Sequence, residues 1–215
     1  MTANISPTIS KTSAALEALA LTCVRGEKQL FADLSFQVSS GECLHVRGEN
    51  GVGKTSLLRL LTGLSKPESG DVLWNQQSIS SESQTYHRDL LFLGHRDALK
   101  EDLTALENLK MCAAIDDVVL SDENAMAALR RFGLRGREHL PVHCLSAGQK
   151  RRVLMARLVT RQARLWILDE PFNALDIHAV AELETLITAH LMLDGIVILT
   201  SHQPINLLNL KVLDL

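Results

Sequence analysis

The stretch at residues 43–61, CLHVRGENGVGKTSLLRLL, decides the fold. An apolar run is followed by a glycine-rich segment, residues 48–55, and then by leucines at helical spacing. The segment GENGVGKT fits the pattern G-x-x-x-x-G-K-[ST], in which backbone N–H groups turn inward around phosphate oxygens at a helix N-terminus. A merely structural turn is disfavoured, because the pattern arises by chance in roughly one chain in a hundred of this length. The stretch predicts a strand, a phosphate-binding loop and a helix from about residue 54 to residue 62.

Two side chains of this loop are predicted to act on a bound nucleotide. Lys54 would reach the β and γ phosphates, and the Thr55 hydroxyl would coordinate Mg²⁺, so a nucleotide with Mg²⁺ is expected. That the nucleotide is ATP is implied by the family resemblance given below. The candidate nucleotide-binding residues in and next to the loop are Gly48, Glu49, Asn50, Gly51, Val52, Gly53, Lys54, Thr55 and Ser56.

A second pattern, LWILDE at residues 165–170, is an apolar strand that ends in two acidic residues. A carboxylate at the end of a buried strand is costly unless it meets a cation or hydrogen-bond donors, so Asp169 is predicted to hold Mg²⁺ and its waters. Glu170 could polarise an attacking water, because in-line phosphoryl transfer needs an oriented nucleophile. Alone, such an ending is as often structural as functional. Together with the phosphate-binding loop, it indicates a nucleotide-hydrolysing site.

The composition excludes several classes of protein. The chain has 215 residues, of which 46% are hydrophobic, and a core of that size excludes whole-chain disorder, collagen and disulfide scaffolds. A net charge of -3 without a dense basic tract argues against nucleic-acid binding. No apolar run reaches the roughly 18 residues of a membrane-spanning helix, so no direct membrane span is expected.

The N-terminal residues 1–14 are rich in Ser and Thr and lack the apolar core of a signal peptide. They are predicted to be a disordered lead-in to a single domain over residues 15–215. The four cysteines contain no C-x-x-C pair, and they are interpreted as reduced packing residues: Cys23, Cys43, Cys112 and Cys144.

The order of the patterns along the chain predicts an α/β fold. Short apolar runs between residues 16 and 74 indicate strands, whereas residues 97–160 have helical character and begin with the capping-box pattern TALE at 104–107. Within this predicted helical subdomain, Ser121 and Asp122 are both candidate caps for one helix, and a further helix is expected over residues 147–160. Later apolar strands alternate with a helix over residues 177–190, which indicates a sheet covered on both faces.

The segment LSAGQ at residues 145–149 resembles the signature of ATP-binding cassette (ABC) ATPases. The resemblance runs from about Leu16 to the C-terminus. It implies a P-loop NTPase core of the ABC ATPase type, with an antiparallel β-subdomain and an inserted α-helical subdomain. It also implies a homodimer, in which the signature of one cassette caps the γ-phosphate held by the loop of the other. The signature residues assigned to ATP on this basis are Ser146, Gly148 and Gln149.

Two later segments also resemble the family. NALD at residues 173–176 is similar to the loop that communicates between cassettes, and His202 is similar to the histidine that contacts the γ-phosphate. The resemblance implies catalytic roles for Lys54, Glu170 and His202, with Glu170 as the base. Apart from His95 and His202, the histidines are interpreted as surface residues or as core residues with satisfied hydrogen bonds. They are His45, His87, His139, His143, His178 and His190.

Two positions depart from the family pattern. His95 occupies the place of a glutamine that contacts Mg²⁺ and the transport partner, and a neutral imidazole there could still take part in a water-mediated metal contact. The aromatic residue that normally stacks on adenine is missing near Arg25. Two interpretations of Arg25 stay open: its planar guanidinium stacks on the base, or it is a solvent-facing turn residue.

The combined motifs resemble most closely the ATPase of the bacterial haem exporter used in cytochrome c maturation. The motifs are LTCVRGEKQLFADLSF at residues 21–36, ENGVGKTSLLRLLTGL at 49–64, LFLGH at 91–95, LSAGQKRRVLMARL at 145–158 and WILDEPFNALD at 166–176. The resemblance implies integral membrane partners, a peripheral position on the cytoplasmic face of the bacterial inner membrane, and ATP hydrolysis linked to haem delivery or to release of a haem-loaded carrier. The alternative is the ATPase subunit of another ABC exporter or importer.

Overall fold

Two β-sheets organise the chain in the computed structural model, which describes residues 14–94, 98–203, 205, 207 and 209–215. The predicted lead-in lies outside these ranges except for Ala14, which is buried and whose carbonyl accepts a hydrogen bond from the Ser40 N–H at 2.9 Å. Within the described ranges, every helix is too short or too polar to cross a membrane.

The first sheet is antiparallel and confirms the predicted β-subdomain. Its strands are β1 (Ala15–Arg25), β2 (Lys28–Ser39), β4 (Ser69–Trp74) and β5 (Gln77–Ser78). They lie side by side in the order β2-β1-β4-β5. The end of β1 pairs with the start of β2, Arg25 opposite Lys28, so these two strands form a hairpin.

The second sheet is parallel and forms the P-loop core. Its strands are β3 (Cys43–Arg47), β6 (Leu90–Leu93), β7 (Leu165–Leu168), β8 (Ile196–Thr200) and β9 (Leu210–Asp214). Their order is β6-β7-β8-β3-β9, so β8 lies between the strand before the phosphate-binding loop and the strand before the acidic pair. Because ligands of open parallel sheets bind outside the carboxyl ends of the strands, this order brings three sequence motifs to one edge.

The helices are α1 (Lys54–Leu61), α2 (Ser83–Asp89), α3 (Ala105–Ile115), α4 (Asp122–Arg131), α5 (Ala147–Met155), α6 (Arg157–Thr160) and α7 (Ile177–Met192). The predicted capping box is confirmed at Thr104 and Glu107, and Ser121 rather than Asp122 caps α4. The single helix predicted over 147–160 was wrong, because the chain breaks at Ala156 into α5 and α6.

The core of the protein lies on both faces of the parallel sheet, as its continuous apolar strands predict. On β7, Trp166 and Leu168 belong to a core cluster with residues of helices α3 to α7. Leu165 and Ile167 belong to a second cluster, with residues of α1 and the antiparallel sheet. Every residue of β7 and β8 is buried. Two-sided burial fixes these strands, and with them the residues that follow at their carboxyl ends.

Three of the four free cysteines are buried, as expected for packing residues, and burial raises the pKa of the Cys43 thiol to about 12. The interpretation was wrong for Cys144. This residue is exposed, because it ends a short 3₁₀ turn, Val142–Cys144, at the surface just before the signature segment.

The pKa of one half-buried histidine is strongly lowered. His190, in α7, stacks on Trp166 with ring centroids 3.9 Å apart and an interplanar angle of 6°. Burial of the imidazole lowers its pKa to about 4, although hydrogen bonds to backbone carbonyls oppose the shift. The folded state therefore holds His190 neutral at a pH where the unfolded chain binds a proton.

This arrangement predicts a loss of stability in mild acid. Because the folded pKa lies below the unfolded value, stability is full above about pH 6.5 and falls as the pH drops toward 4, by about 2–3 kcal/mol in the free energy of unfolding. His190→Phe keeps a stacked ring without a titrating group. Urea unfolding between pH 4 and 7 is expected to show a smaller loss in this variant. An equal loss in both proteins would contradict the prediction.

Candidate nucleotide-binding site

A cavity of about 480 Å³ lies at the carboxyl edge of the parallel sheet. It gathers the phosphate-binding loop, the acidic pair after β7 and the histidine after β8, which are far apart in the sequence. The lining residues are Arg25, Leu30, Asn50, Gly51, Gly53, Lys54, Thr55, Ser56, Asp169, Glu170, Asn173 and His202. All three residues predicted to be catalytic are therefore in one place.

The loop between β3 and α1 has the backbone that an anion-binding loop requires. Gly53 precedes α1 with a φ of 125°, and a Cβ there would lie 3.2 Å from Leu30 and 3.3 Å from the Phe31 ring, so only glycine fits. The Lys54 ammonium donates to the carbonyls of Gly48 at 2.7 Å and Glu49 at 3.2 Å. Its side chain is thus folded over the loop, with the charge beside the N-terminus of α1.

Asp169 is held in place by two threonine hydroxyls. Thr55 Oγ1 donates to Asp169 Oδ2 at 3.0 Å, and Thr200 Oγ1, at the end of β8, donates to Asp169 Oδ1 at 2.8 Å. Thr55 and Asp169 are 114 positions apart, so the fold alone creates this contact.

These oxygens fit Mg²⁺. The described residues contain no group of three or more His, Cys, Asp or Glu side chains that could cage a metal ion. Mg²⁺ does not need one, because it usually keeps several waters and takes one or two protein oxygens together with substrate phosphates. The adjacent hydroxyl and carboxylate of Thr55 and Asp169 are hard donors of this kind. The third metal candidate, His95, lies outside the described residues.

The Glu170 carboxylate faces His202 across a short gap. His202 Nε2 lies 3.4 Å from Glu170 Oε1, and the side chains are 52% and 11% exposed, respectively. Glu170 Oε1 is buried and accepts no hydrogen bond from the described residues. A buried carboxylate oxygen without a donor attracts a water or another proton donor, which suits a group that must orient a nucleophile.

The signature segment is not part of this cavity. Ser146 caps α5 through a capping box with Gln149: Ser146 Oγ accepts from the Gln149 N–H at 3.3 Å, and Gln149 Oε1 accepts from the Ser146 N–H at 3.0 Å. A Cβ on Gly148 would lie only 2.7 Å from the Ala174 carbonyl oxygen. The signature therefore packs against the NALD loop, and its exposed N-terminal end faces solvent.

The NALD loop is fixed on two sides. Asp176 caps α7 by accepting from the Ala179 N–H at 2.9 Å, and it pairs with Arg152 of α5 at 2.6 Å. The backbone hydrogen bond from Ala179, with the charge of Arg152, lowers the pKa of Asp176. Asn173, at the start of the loop, lines the cavity, so the loop connects the cavity to the signature helix.

Arg25 lies at the rim of the cavity, at the end of β1, and its side chain is exposed. This position is compatible with both interpretations of Arg25. His45 is a satisfied core histidine, because its Nε2 lies 3.0 Å from the buried carbonyl of Ser201, one residue before His202. That contact ties β3 to the loop after β8.

Sequence reasoning missed two residues of the site. Thr200 contacts both acidic residues, and its signal was a hydroxyl at the end of an otherwise apolar strand. Arg151 is 6% exposed and donates to the carbonyls of Gly94, Asp169 and Glu170. The only signal in the sequence was the position of Arg151 in the basic run after the signature. Such a run is equally typical of a solvent-exposed helix face.

The comparisons with known proteins agree with this geometry. The family model described as "ABC transporter" matches residues 31–173. A "Cytochrome c biogenesis ATP-binding export protein CcmA" from Dechloromonas aromatica is 50% identical over 192 residues, 89% of this chain and 94% of its own length. A protein of the same name from Vibrio cholerae is 48% identical over 188 residues, which is 87% of this chain and 91% of the relative.

Solved structures share the fold. An ATP-binding subunit of an ABC transporter superposes with a TM-score of 0.76 at 26% identity, over 87% of this chain and 79% of that chain. An ABC transporter ATP-binding protein from Pyrococcus furiosus gives a TM-score of 0.81 over 94% of this chain and 97% of that one, and its 24% identity supports the fold alone. The chain therefore belongs to the ABC transporter family of ATP-binding proteins, and within it the chain is similar to export proteins of cytochrome c biogenesis.

Proposed function

We propose that this chain is the ATP-hydrolysing subunit of a membrane ABC transporter for cytochrome c biogenesis, one that delivers haem or releases a haem-loaded carrier. The observation that carries the proposal is the identity of 48–50% to proteins named for export in cytochrome c biogenesis, over nearly the whole of both chains. A match of 188–197 of the 215 residues is long enough to include the phosphate-binding loop, the signature and the acidic strand together.

The phosphate-binding loop holds the triphosphate of ATP in this proposal. The backbone N–H groups of residues 48–56 and the N-terminus of α1 supply partial positive charge, and Lys54 supplies a full one. Support comes from the buried Lys54, whose ammonium lies against the loop and donates to the carbonyls of Gly48 and Glu49. Arg25, on the rim, lies where it could stack on the base.

Mg²⁺ is held by Thr55 and Asp169, and when bound it offsets the negative charge of the phosphates. Thr200 keeps the Asp169 carboxylate in position through its hydroxyl. His95 as an additional water-mediated metal contact is a prediction from the sequence alone.

Glu170 is proposed as the base that orients and polarises the attacking water, and His202 as the residue that aligns the γ-phosphate. The support is the gap of 3.4 Å between His202 Nε2 and Glu170 Oε1, together with the buried carboxylate oxygen that lacks a donor. In such a pair, the carboxylate accepts the hydrogen bond of the water while the imidazole N–H can meet a phosphate oxygen.

The site is completed by a second copy of the chain. Ser146, Gly148 and Gln149 lie outside the cavity at an exposed helix N-terminus, whose partial positive charge suits an anion held by another molecule. The proposed assembly is a homodimer of cassettes with integral membrane subunits, located peripherally on the cytoplasmic face of the bacterial inner membrane.

The test is complementation of a deletion strain, with partners identified in parallel. A strain lacking this gene is expected to produce c-type cytochromes without covalent haem, and the full chain is expected to restore them. Lys54→Met should fail to restore them, because it removes the phosphate-binding charge. Lys211→Met, which removes a surface lysine paired with Glu42, should restore them.

Affinity purification of the tagged chain from detergent-solubilised membranes is expected to recover integral membrane subunits required for cytochrome c maturation. If it recovered only subunits of an unrelated transporter, and the deletion left cytochrome c unchanged, the chain would serve another ABC exporter or importer.

A further inference from the structure

The backbone of Glu170 has an unusual conformation. Its φ is 49°, in the left-handed region that side chains with a Cβ rarely adopt. A residue in this region costs about 1 kcal/mol or more, and such conformations persist at functional sites only where the surroundings enforce them. The groups that enforce this one decide where the carboxylate of Glu170 points.

Two groups hold the Glu170 peptide from opposite sides. The N–H of Glu170 donates to Thr200 Oγ1 at 2.8 Å, and the carbonyl of Glu170 accepts from Arg151 Nη2 at 2.9 Å. The same nitrogen donates to the carbonyl of Asp169 at 2.7 Å. Hydrogen bonds from a charged donor are about twice as strong as neutral ones, so the guanidinium is the stronger of the two restraints.

The other arm of this guanidinium reaches a different element. Arg151 Nη1 donates to the carbonyl of Gly94 at 3.0 Å, directly after β6 and before His95. Arg151 itself belongs to α5, whose first residues are the signature. A single planar group therefore connects the signature helix, the end of β6 and the strained peptide of Glu170.

We propose that Arg151 is a positioning residue for ATP hydrolysis: it enforces the left-handed backbone of Glu170 and so makes the direction of that carboxylate depend on where helix α5 lies. This inference rests on the proposed role of Glu170 as the base. A movement of α5, which carries the signature, would loosen the Glu170 peptide. The base would then be aligned only when the signature helix is seated against the core.

The chemistry requires arginine rather than lysine. Three carbonyls on two elements are reached by one rigid fork, whereas an ammonium on a flexible stem acts as a single point charge and cannot span both elements with fixed geometry. Stability alone does not explain a charged group here, because apolar residues of similar volume often replace buried charges without loss.

The experiment measures single-turnover ATP hydrolysis and MgATP affinity for Arg151→Met and Arg151→Lys of the full chain. Because a misplaced reacting group costs up to about 100-fold, the rate constant is expected to fall roughly 10- to 100-fold in both variants with nearly unchanged affinity. The matched control is Arg157→Met, which removes a half-buried arginine whose partner is Asp116 and which does not contact the site. It should keep the wild-type rate.

Repeating Arg151→Met in a Glu170→Gln background tests whether Arg151 acts through Glu170. The two substitutions are expected to be strongly non-additive, with less than about a twofold further loss. Equal fractional losses in both backgrounds, or a rate in Arg151→Met and Arg151→Lys equal to that of Arg157→Met, would overturn the proposal. Should Arg151→Met fail to fold, Arg151→Lys decides. Failure of the proposed function is seen separately, as a wild-type rate in Glu170→Gln alone.

Discussion

Glu170→Gln is expected to lower kcat for ATP hydrolysis by about 10²–10⁴-fold, the usual contribution of a general base, while ATP binding is retained. The glutamine side chain has the same shape, but it cannot accept the proton of an attacking water. Lys54 and Thr55, which are proposed to hold the phosphates and Mg²⁺, are unchanged by the substitution. Steady-state release of phosphate and a nucleotide-binding titration measure the two effects on the same preparation.

The same variant is expected to accumulate as an ATP-bound dimer. In the proposed homodimer, closure of the two cassettes around ATP is reversed by hydrolysis. A protein that binds ATP but does not hydrolyse it is therefore expected to stay closed, and size-exclusion chromatography in MgATP should show the dimer. Glu182→Gln is the matched control, since it changes a carboxylate of α7 that pairs with Arg131 away from the cavity. If Glu170→Gln hydrolysed ATP at the wild-type rate, the base would be another group.

The sequence was sufficient for the features of the fold that depend on local pattern. The loop at residues 48–55, the capping box at Thr104 and the buried strands β7 and β8 are each encoded by neighbouring residues. The short elements α2, β5 and β6 were not predicted. The first buries only Tyr86, the second has two residues, and the third is a short apolar run that periodicity alone cannot distinguish from a buried helical segment. Strand β7 is equally short, but the acidic pair that follows it marks its end.

The sequence predicts those candidate site residues whose charge stands at the end of a recognisable strand or helix. It does not predict the residues that hold other groups in place through contacts between distant parts of the chain. Lys54, Asp169 and Glu170 carry charges at the ends of recognisable elements, so their pattern reveals them. Thr200 and Arg151 act on backbone and carboxylate groups of a different strand. Their contacts depend on the strand order, which no local pattern specifies. The left-handed Glu170 follows from the same long-range contacts.

Gly148→Val is expected to abolish hydrolysis, with a loss of about 100-fold or more, and to leave ATP binding by the loop intact. A Cβ at this position would lie 2.7 Å from the Ala174 carbonyl oxygen, and we expect the Ala174 peptide of the NALD loop to yield, because Arg151 ties α5 to the core of its own chain. Gly148 does not line the cavity, and the residues that bind the phosphates are therefore unaffected. Ala127→Val, on the exposed face of α4, also introduces a valine side chain into a helix, but away from the signature, and should behave as wild type.

Mixing two inactive proteins then tests whether the site is shared between copies. In a dimer of Lys54→Met with Gly148→Val, one site combines both defects, whereas the other joins an intact loop from one protomer to an intact signature from its partner. The mixture is expected to hydrolyse ATP well above the sum of its components. The control is a double variant that carries both Lys54→Met and Gly148→Val. Its dimer has no intact loop and no intact signature, so it should stay inactive. If the mixture gave only the sum, each chain would use its own signature, and helix α5 would have to travel to the cavity within one molecule.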